Sequence, residues 1–226
     1  MEEVGRKILQ IAKALHDRNL LAAADGNISF RFDDNNILIT PSGQTKALMT
    51  EQELSQITLE NKILSGTPSS ERLMHLEIYK TCPAAKAVVH AHPPTAIAWS
   101  LAFPELKELP FRQLPEVILA AGKIPFVPYA RPGTLEMGTH LRPFLPEHRL
   151  MILSRHGAVC WGESLEEAYR GIERVEHVCQ ILKSSMELKS LKSFDVVEKF
   201  NQATDISEKE IEALFELRKK IGPKIL

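Results

Sequence analysis

Cysteine is scarce in this chain. There are three in 226 residues, Cys82, Cys160 and Cys179, and none stands in CxxC spacing. An odd, unpaired set excludes a disulfide framework and makes thiolate metal ligation a poor option; reduced thiols in a cytoplasm are the simplest account. Glycine-rich phosphate motifs are missing too. Neither GxxxxGK[ST] nor GxGxxG occurs, so no nucleotide cofactor is implied. No apolar run approaches membrane-spanning length, and Met1-Glu2-Glu3-Val4-Gly5 opens acidic, without the apolar core of a secretion signal. Charge of one sign is not in excess: 28 basic residues face 29 acidic ones, for a net charge of -1. That balance argues against bulk nucleic-acid binding. No internal repeat or low-complexity tract is present.

What remains is a chain long enough for one continuous core, with alternating helix and strand signals. Val4, Ile8, Ile11 and Leu15 form a helical stripe. Residues 27–32 alternate polar and apolar, Asp33-Asp34-Asn35-Asn36 is a turn cluster, and Ile37 to Thr40 resumes the strand, which predicts a hairpin. Ser70 is placed to cap a helix from Glu71 to about Thr81. A strand ends at His92, and a helix follows through Ala96 to Leu101. Pro115 opens a helix from Glu116 to about Ala121, ending at Gly122. Ile124 to Tyr129 is a strand, and a helix is expected across Glu136 to Leu145. Leu150 to Trp161 predicts a late hairpin or a bulged strand. Ser164-Leu165-Glu166-Glu167 is a capping box before a buried stripe that reaches Leu182. Lys183 to Lys199 is polar and weakly patterned, and predicts a linker or loose segment. A second capping box, Ser207 to Glu210, precedes a last helix. The expected division is a domain over residues 1–182 and a helical C-terminal appendage over 183–226, together an α/β fold.

The most informative stretch is His90-Ala91-His92, which closes the apolar run Ala87-Val88-Val89 and is followed by Pro93-Pro94. Side chains two apart on a strand share a face, so both imidazoles can converge where the prolines stop the ladder. His156 follows a second apolar run, Leu150 to Leu153. Three neutral imidazoles with an open fourth position make a catalytic zinc site. Strand-end histidines that merely face solvent would give the same spacing.

Several loops set small polar residues beside glycine. Gly26-Asn27, Ser42-Gly43 and Ser69-Ser70 offer backbone N–H groups with hydroxyl or amide donors, and Ser69-Ser70 precedes a predicted helix. Converging, they would hold a phosphate; singly, each is ordinary turn chemistry. Glu71 is either a charge favourable at a helix start or an acid/base beside a metal. His75 and His177 lie within predicted helices and read as surface or hydrogen-bonded core histidines.

In order along the chain, Gly26-Asn27-Ile28-Ser29, Ile39-Thr40-Pro41-Ser42-Gly43, Ser69-Ser70-Glu71, His90-Ala91-His92, Pro128-Tyr129-Ala130-Arg131-Pro132-Gly133-Thr134 and His156-Gly157 resemble the class II aldolase/adducin family over roughly residues 4 to 182. The resemblance implies a three-layer α/β/α sandwich around a mainly antiparallel sheet. It implies a homotetramer with active sites between subunits. It assigns a divalent ion, usually zinc with manganese or cobalt as substitutes, to His90, His92 and His156. Glu71 becomes the acid/base, also able to ligate the metal when substrate is absent. Phosphate binding falls to Asn27, Ser42, Gly43, Ser69 and Ser70, with Gly26 nearby. The implied activity is a zinc-dependent lyase, similar to L-fuculose-phosphate aldolase, that cleaves a phosphorylated ketose to dihydroxyacetone phosphate and an aldehyde.

Two departures open alternatives. Aldolases of this kind carry a tyrosine near the start of the helix that here begins at Glu116, and another in the C-terminal tail. No tyrosine follows Tyr169 in this chain. Glu116 resembles instead the position of a glutamate acid/base in methylthioribulose-1-phosphate dehydratases of the family. A glutamate after Pro115 is equally a normal helix opening. Epimerases use an aspartate near this place and a tail tyrosine, and neither is present. A non-catalytic, adducin-like interaction domain would lack the intact histidine set.

Overall fold

The structure is a computed structural model that describes residues 2–190, 206–222 and 224–225. Among the described residues, eight strands form one sheet in the order β4-β3-β2-β1-β5-β8-β7-β6. They are β1 (Asn27–Arg31), β2 (Asn36–Ile39), β3 (Ser55–Thr58), β4 (Ile63–Ser65), β5 (Ala87–Ala91), β6 (Phe126–Val127), β7 (Leu150–Leu153) and β8 (Gly157–Gly162). Every neighbouring pair is antiparallel except β6 with β7. The helices are α1 (Glu2–Asp17), α2 (Arg72–Thr81), α3 (Pro94–Ala102), α4 (Pro115–Ala120), α5 (Leu135–Leu141), α6 (Leu165–Ser190) and α7 (Glu208–Ile221).

Strand alternation sorts the core into two layers. Ala87, Val89 and Ala91 of β5 pack with α1, α3, α4, α6 and α7, whereas Val88 packs with α2 and α5. In β8, Ala158 and Cys160 face the first layer, and Val159 and Trp161 the second. The result is the helix–sheet–helix sandwich expected. All three cysteines are buried and free. No helix among the described residues is long and apolar enough to cross a membrane.

The hairpin β1–β2 forms as its sequence predicts, because Asp33 Oδ1 accepts the N–H groups of Asn35 and Asn36 and closes the turn. The late hairpin β7–β8 forms as well. Three expectations are corrected. The helix at Ser70 starts at Arg72, with Glu71 as its N-cap, because the Ser69 hydroxyl accepts the Glu71 N–H. Residues 183–190 are helix rather than loose segment, continuing α6 to Ser190; the rest of that stretch lies outside the described residues. The strand expected over Ile124 to Tyr129 shrinks to Phe126–Val127 between Pro125 and Pro128. Further along, the Ser207 hydroxyl caps α7 as predicted, and Ile211, Leu214 and Ile225 reach the first core layer.

Candidate metal centre and anion cradle

β5 and β8 pair with His90 opposite Val159, so the end of the sheet carries His90 and, one residue beyond β5, His92. Val88 faces α2, and side chains two apart share that face, so both imidazoles point toward the α2 layer. His156 arrives from the β7–β8 turn. Arg155 adopts a positive φ of 65° there, and its N–H donates to Ser100 Oγ at 2.8 Å. The three ring centroids stand 4.8 to 5.0 Å apart, and the donor nitrogens all lie within 4.8 Å of one another.

The hydrogen bonds around these rings fix which nitrogen is free. His90 Nδ1 lies 2.9 Å from the Ala158 carbonyl oxygen, which can only accept. His92 Nδ1 lies 3.2 Å from Asp25 Oδ2. Each Nδ1 therefore carries a proton and is tied up, which leaves Nε2 as the atom each ring turns to the cluster. Burial, then the neighbouring His90 and His156, push His92 down to about 4, so its ring is neutral near pH 7. The Nε2 atoms of His90 and His92 nevertheless face each other at 3.2 Å. With both Nδ1 atoms protonated, that contact requires a cation between the two nitrogens, either a proton or a metal ion. Nitrogens about 2.1 Å from one tetrahedral zinc stand about 3.4 Å apart, so the residues fit such an ion.

Glu71 completes the cluster. Its Oε2 is 3.3 Å from His90 Nε2 and its Oε1 is 3.2 Å from His156 Nε2. Burial works to raise the carboxyl, but His90 and His156 overcome it and hold the group well below the usual carboxylate range. A buried anion thus faces the three imidazoles.

Gly157 makes the convergence possible. A Cβ there would meet the Ala91 carbonyl oxygen at 2.3 Å and the rings of His90 and His92 at 3.0 Å. Gly157→Ala should therefore cost about 1–3 kcal/mol in stability through overpacking and weaken affinity for a divalent metal ion at least ~10-fold by displacing the rings. Competition with a chromophoric chelator checks this; unchanged affinity would mean that the rings tolerate the intrusion.

The serine and glycine loops also come together. Ser42 N–H donates to the Thr67 carbonyl and Ser69 N–H to the Thr40 carbonyl, which seams loop 40–43 to loop 67–70. The N–H groups of Gly43 and Ser70 and the hydroxyls of Ser42 and Ser70 have no partner among the described residues. Gly43 has a φ of +71°, and a Cβ placed on it would meet nothing within 4 Å, so this edge is open. Gly26 lies on the other side, against the His90 carbonyl.

Two further predicted site residues are placed as follows. The Asn27 side chain donates from Nδ2 to Glu71 Oε2 at 2.7 Å. Glu116 is exposed in the first turn of α4 and makes no hydrogen bond or ion pair among the described residues. Sequence reasoning missed two others. Asp25 orients His92, as above. Lys46, 3% exposed, donates to the carbonyls of Ala24 and Gln44 at 2.8 and 2.7 Å and clips the loops bearing Gly26 and Gly43 together. Burial lowers its pKa. Neither residue lies in a motif that separates it from ordinary loop polarity.

An α/β/α sandwich that gathers three histidines and a buried carboxylate at a sheet end, beside an open polar seam, defines a class of candidate metal site. The particular family follows from comparison. Residues 6–182 match the family model for the Class II Aldolase and Adducin N-terminal domain, and the chain belongs to that family. It is 33% identical over 187 residues to a 3-oxo-tetronate 4-phosphate decarboxylase of Escherichia coli O6:H1, covering 80% of this chain and 86% of the relative. It is 32% identical over 176 residues to an L-fuculose phosphate aldolase of Methanococcus vannielii, covering 78% and 93%. The crystal structure of L-fuculose-1-phosphate aldolase from Thermus thermophilus superposes with a TM-score of 0.76 at 30% identity, covering 86% of this chain and 100% of the other.

Proposed function

We propose that the chain is a zinc-dependent lyase that cleaves a carbon–carbon bond in a phosphorylated ketose, releasing dihydroxyacetone phosphate and an aldehyde. The observation that carries this reading is the convergence of His90, His92 and His156, whose possible ligand atoms all lie within 4.8 Å of one another, with the Glu71 carboxylate beside them. His90, His92 and His156 would hold the ion, with Glu71 as a further ligand when substrate is absent; manganese or cobalt could replace zinc. When bound, the ion supplies Lewis-acid polarisation of the substrate carbonyl.

The chain's own groups do the rest. Glu71, beside His90 and His156, moves the proton to or from the enediol carbon, a general acid/base role. Ser42, Gly43, Ser69 and Ser70 bind the phosphate, using the unpartnered N–H and hydroxyl groups of the seam. Gly26 lets the adjoining loop lie close to β5. Holding the non-reacting end of the substrate fixes the orientation of the reacting end. Asn27, assigned to phosphate by resemblance, is better supported as a partner of Glu71. Residues 1–182 form the catalytic part and 183–226 its helical appendage, in a cytoplasmic homotetramer.

A second reading is favoured by the 33% identity to a decarboxylase. Decarboxylation of a 3-oxo sugar-acid phosphate also breaks a bond beside a carbonyl and leaves an enediolate to be protonated, so the same residues serve it. Dehydration, as in the methylthioribulose-1-phosphate enzymes, remains the reading that uses Glu116 most directly. Product analysis on zinc-loaded protein separates the three. L-Fuculose 1-phosphate and other ketose 1-phosphates should yield dihydroxyacetone phosphate together with an aldehyde; carbon dioxide released with dihydroxyacetone phosphate from a 3-oxo-tetronate 4-phosphate would identify the decarboxylase, and a diketone the dehydratase.

Glu116 is proposed to reach the site of a neighbouring subunit and to pass a proton to or from the leaving group. Glu116→Gln should lower the rate and leave zinc content and assembly intact. A helix-opening charge is worth well under ~1 kcal/mol. An unchanged rate with a shifted melting point would assign Glu116 to that role instead.

A further inference from the structure

Behind Glu71 lies a chain of buried polar groups that neither the ion nor the phosphate uses. Glu71, His75 and Tyr79 follow one another at four-residue steps along the α2 side, and Asn27 and Ser29 are two apart on β1. Four residues of helix rise about 6 Å and two residues of strand about 6.6 Å, so the two rows stay in step. The rows interlock. Asn27 Nδ2 lies 2.7 Å from Glu71 Oε2, His75 Nε2 2.5 Å from Asn27 Oδ1, Ser29 Oγ 2.7 Å from His75 Nδ1, and Tyr79 Oη 2.8 Å from Ser29 Oγ. Asn27, Ser29, His75 and Tyr79 are each at most 2% exposed.

The direction of every bond follows from one end. A carboxylate only accepts, so the Asn27 amide must turn its NH2 to Glu71 and its oxygen to His75. His75 therefore carries its proton on Nε2. Burial pushes His75 down to about 3, so the ring is neutral and Nδ1 accepts from the Ser29 hydroxyl. Ser29 has then spent its only proton and accepts from Tyr79. All four donors point toward the carboxylate.

We propose that His75 is a positioning residue for Glu71: held as the Nε2–H tautomer by Ser29 and Tyr79, it locks the Asn27 amide so that Oε2 of Glu71 is gripped and Oε1 faces His156. The proposal rests on the reading of Glu71 as the acid/base. A merely space-filling His75 would need no particular tautomer and no particular Asn27 orientation.

The test combines a spectrum with kinetics. In protein labelled with 15N at histidine, with or without zinc, His75 should give the pattern of a neutral ring protonated at Nε2; a ring protonated at Nδ1, or a charged one, would overturn the proposal. On zinc-loaded protein with L-fuculose 1-phosphate, His75→Leu should lower kcat about 10–100-fold, the range for a lost outer hydrogen-bond partner, with KM changed less than ~3-fold. His75→Gln, whose amide can still donate to Asn27, should recover most of that loss. In a Glu71→Gln background His75→Leu should cost nothing further; an equal cost in both backgrounds would mean a structural role and overturn the proposal. Should His75→Leu fail to fold, Ser29→Ala carries the same comparison. A large loss in Glu71→Gln with none in either His75→Leu or Ser29→Ala would sink the positioning role alone. Full turnover in Glu71→Gln would instead sink the acid/base reading beneath it.

Discussion

Glu71→Gln should lower turnover about 100-fold or more, the scale of a removed general acid/base, while zinc content and fold persist. Glutamine keeps the shape of the side chain and an oxygen to accept from Asn27 Nδ2, now 2.7 Å from Glu71 Oε2. It cannot take up and return a proton. The same variant should lose solvent-deuterium exchange into dihydroxyacetone phosphate, which needs proton transfer at carbon but no carbon–carbon bond cleavage. The competing account treats Glu71 as an N-terminal charge on α2, worth about 0.3–1 kcal/mol of stability. That account predicts a small drop in melting temperature and near-normal turnover and exchange. The location of Glu71, between His90 and His156 rather than out in solvent, is what favours the larger effect.

His90→Ala should be the more severe change. His90 is fully buried, its Nδ1 is tied to the Ala158 carbonyl, and its Nε2 lies within 3.3 Å of both His92 and Glu71. Removing one of three imidazoles leaves too few donors to hold a divalent ion tightly. Turnover should fall on the order of 1,000-fold, the equivalent of several kcal/mol of lost charge stabilisation, and added zinc at micromolar concentration should not restore it. His92→Ala removes a more exposed ring and should give the same loss with less effect on the melting temperature. Activity that survives either substitution would mean that the reaction does not depend on this cluster.

Much of this arrangement was legible in the sequence, and the part that was not has physical reasons. His-x-His at a strand end needs only the two-residue alternation of β5 to bring both rings to one face. The hairpin turn at Asp33 and the cap at Ser207 are local chemistry, and both form as read. β3 and β4 were invisible because they are short and near the sheet edge; all three residues of β4 are exposed, so no buried face marks it. The continuation of α6 to Ser190 was missed because its last turns are polar, and helix formers such as Glu187 and Lys189 sustain a helix without an apolar stripe. Ser70 reads as the helix cap, but the backbone seam to Thr40 holds the loop so that the Ser69 hydroxyl accepts the Glu71 N–H and Glu71 becomes the N-cap.

The site divides in the same way. Residue types and order pointed to the histidines, to Glu71 and to the serine loops. The rotamer of Asn27 could not be read, because its partners Glu71 and His75 lie 44 and 48 residues away. The same holds for Asp25, whose link to His92 exists only once β5 and the loop before β1 are side by side. His75 reads in the sequence as either a surface or a hydrogen-bonded core histidine; the structure makes it the second, and its link to Glu71 through Asn27 emerges only from the register of β1 against α2.

Metal analysis of the protein as purified tests the central claim most directly. Inductively coupled plasma measurement should find about one divalent ion per chain, chiefly zinc, in the open three-histidine arrangement expected of a catalytic site. Stripping the ion should abolish turnover, and zinc, cobalt or manganese should restore it. No ion in the purified protein, together with no activation by any of the three metals, would contradict the account.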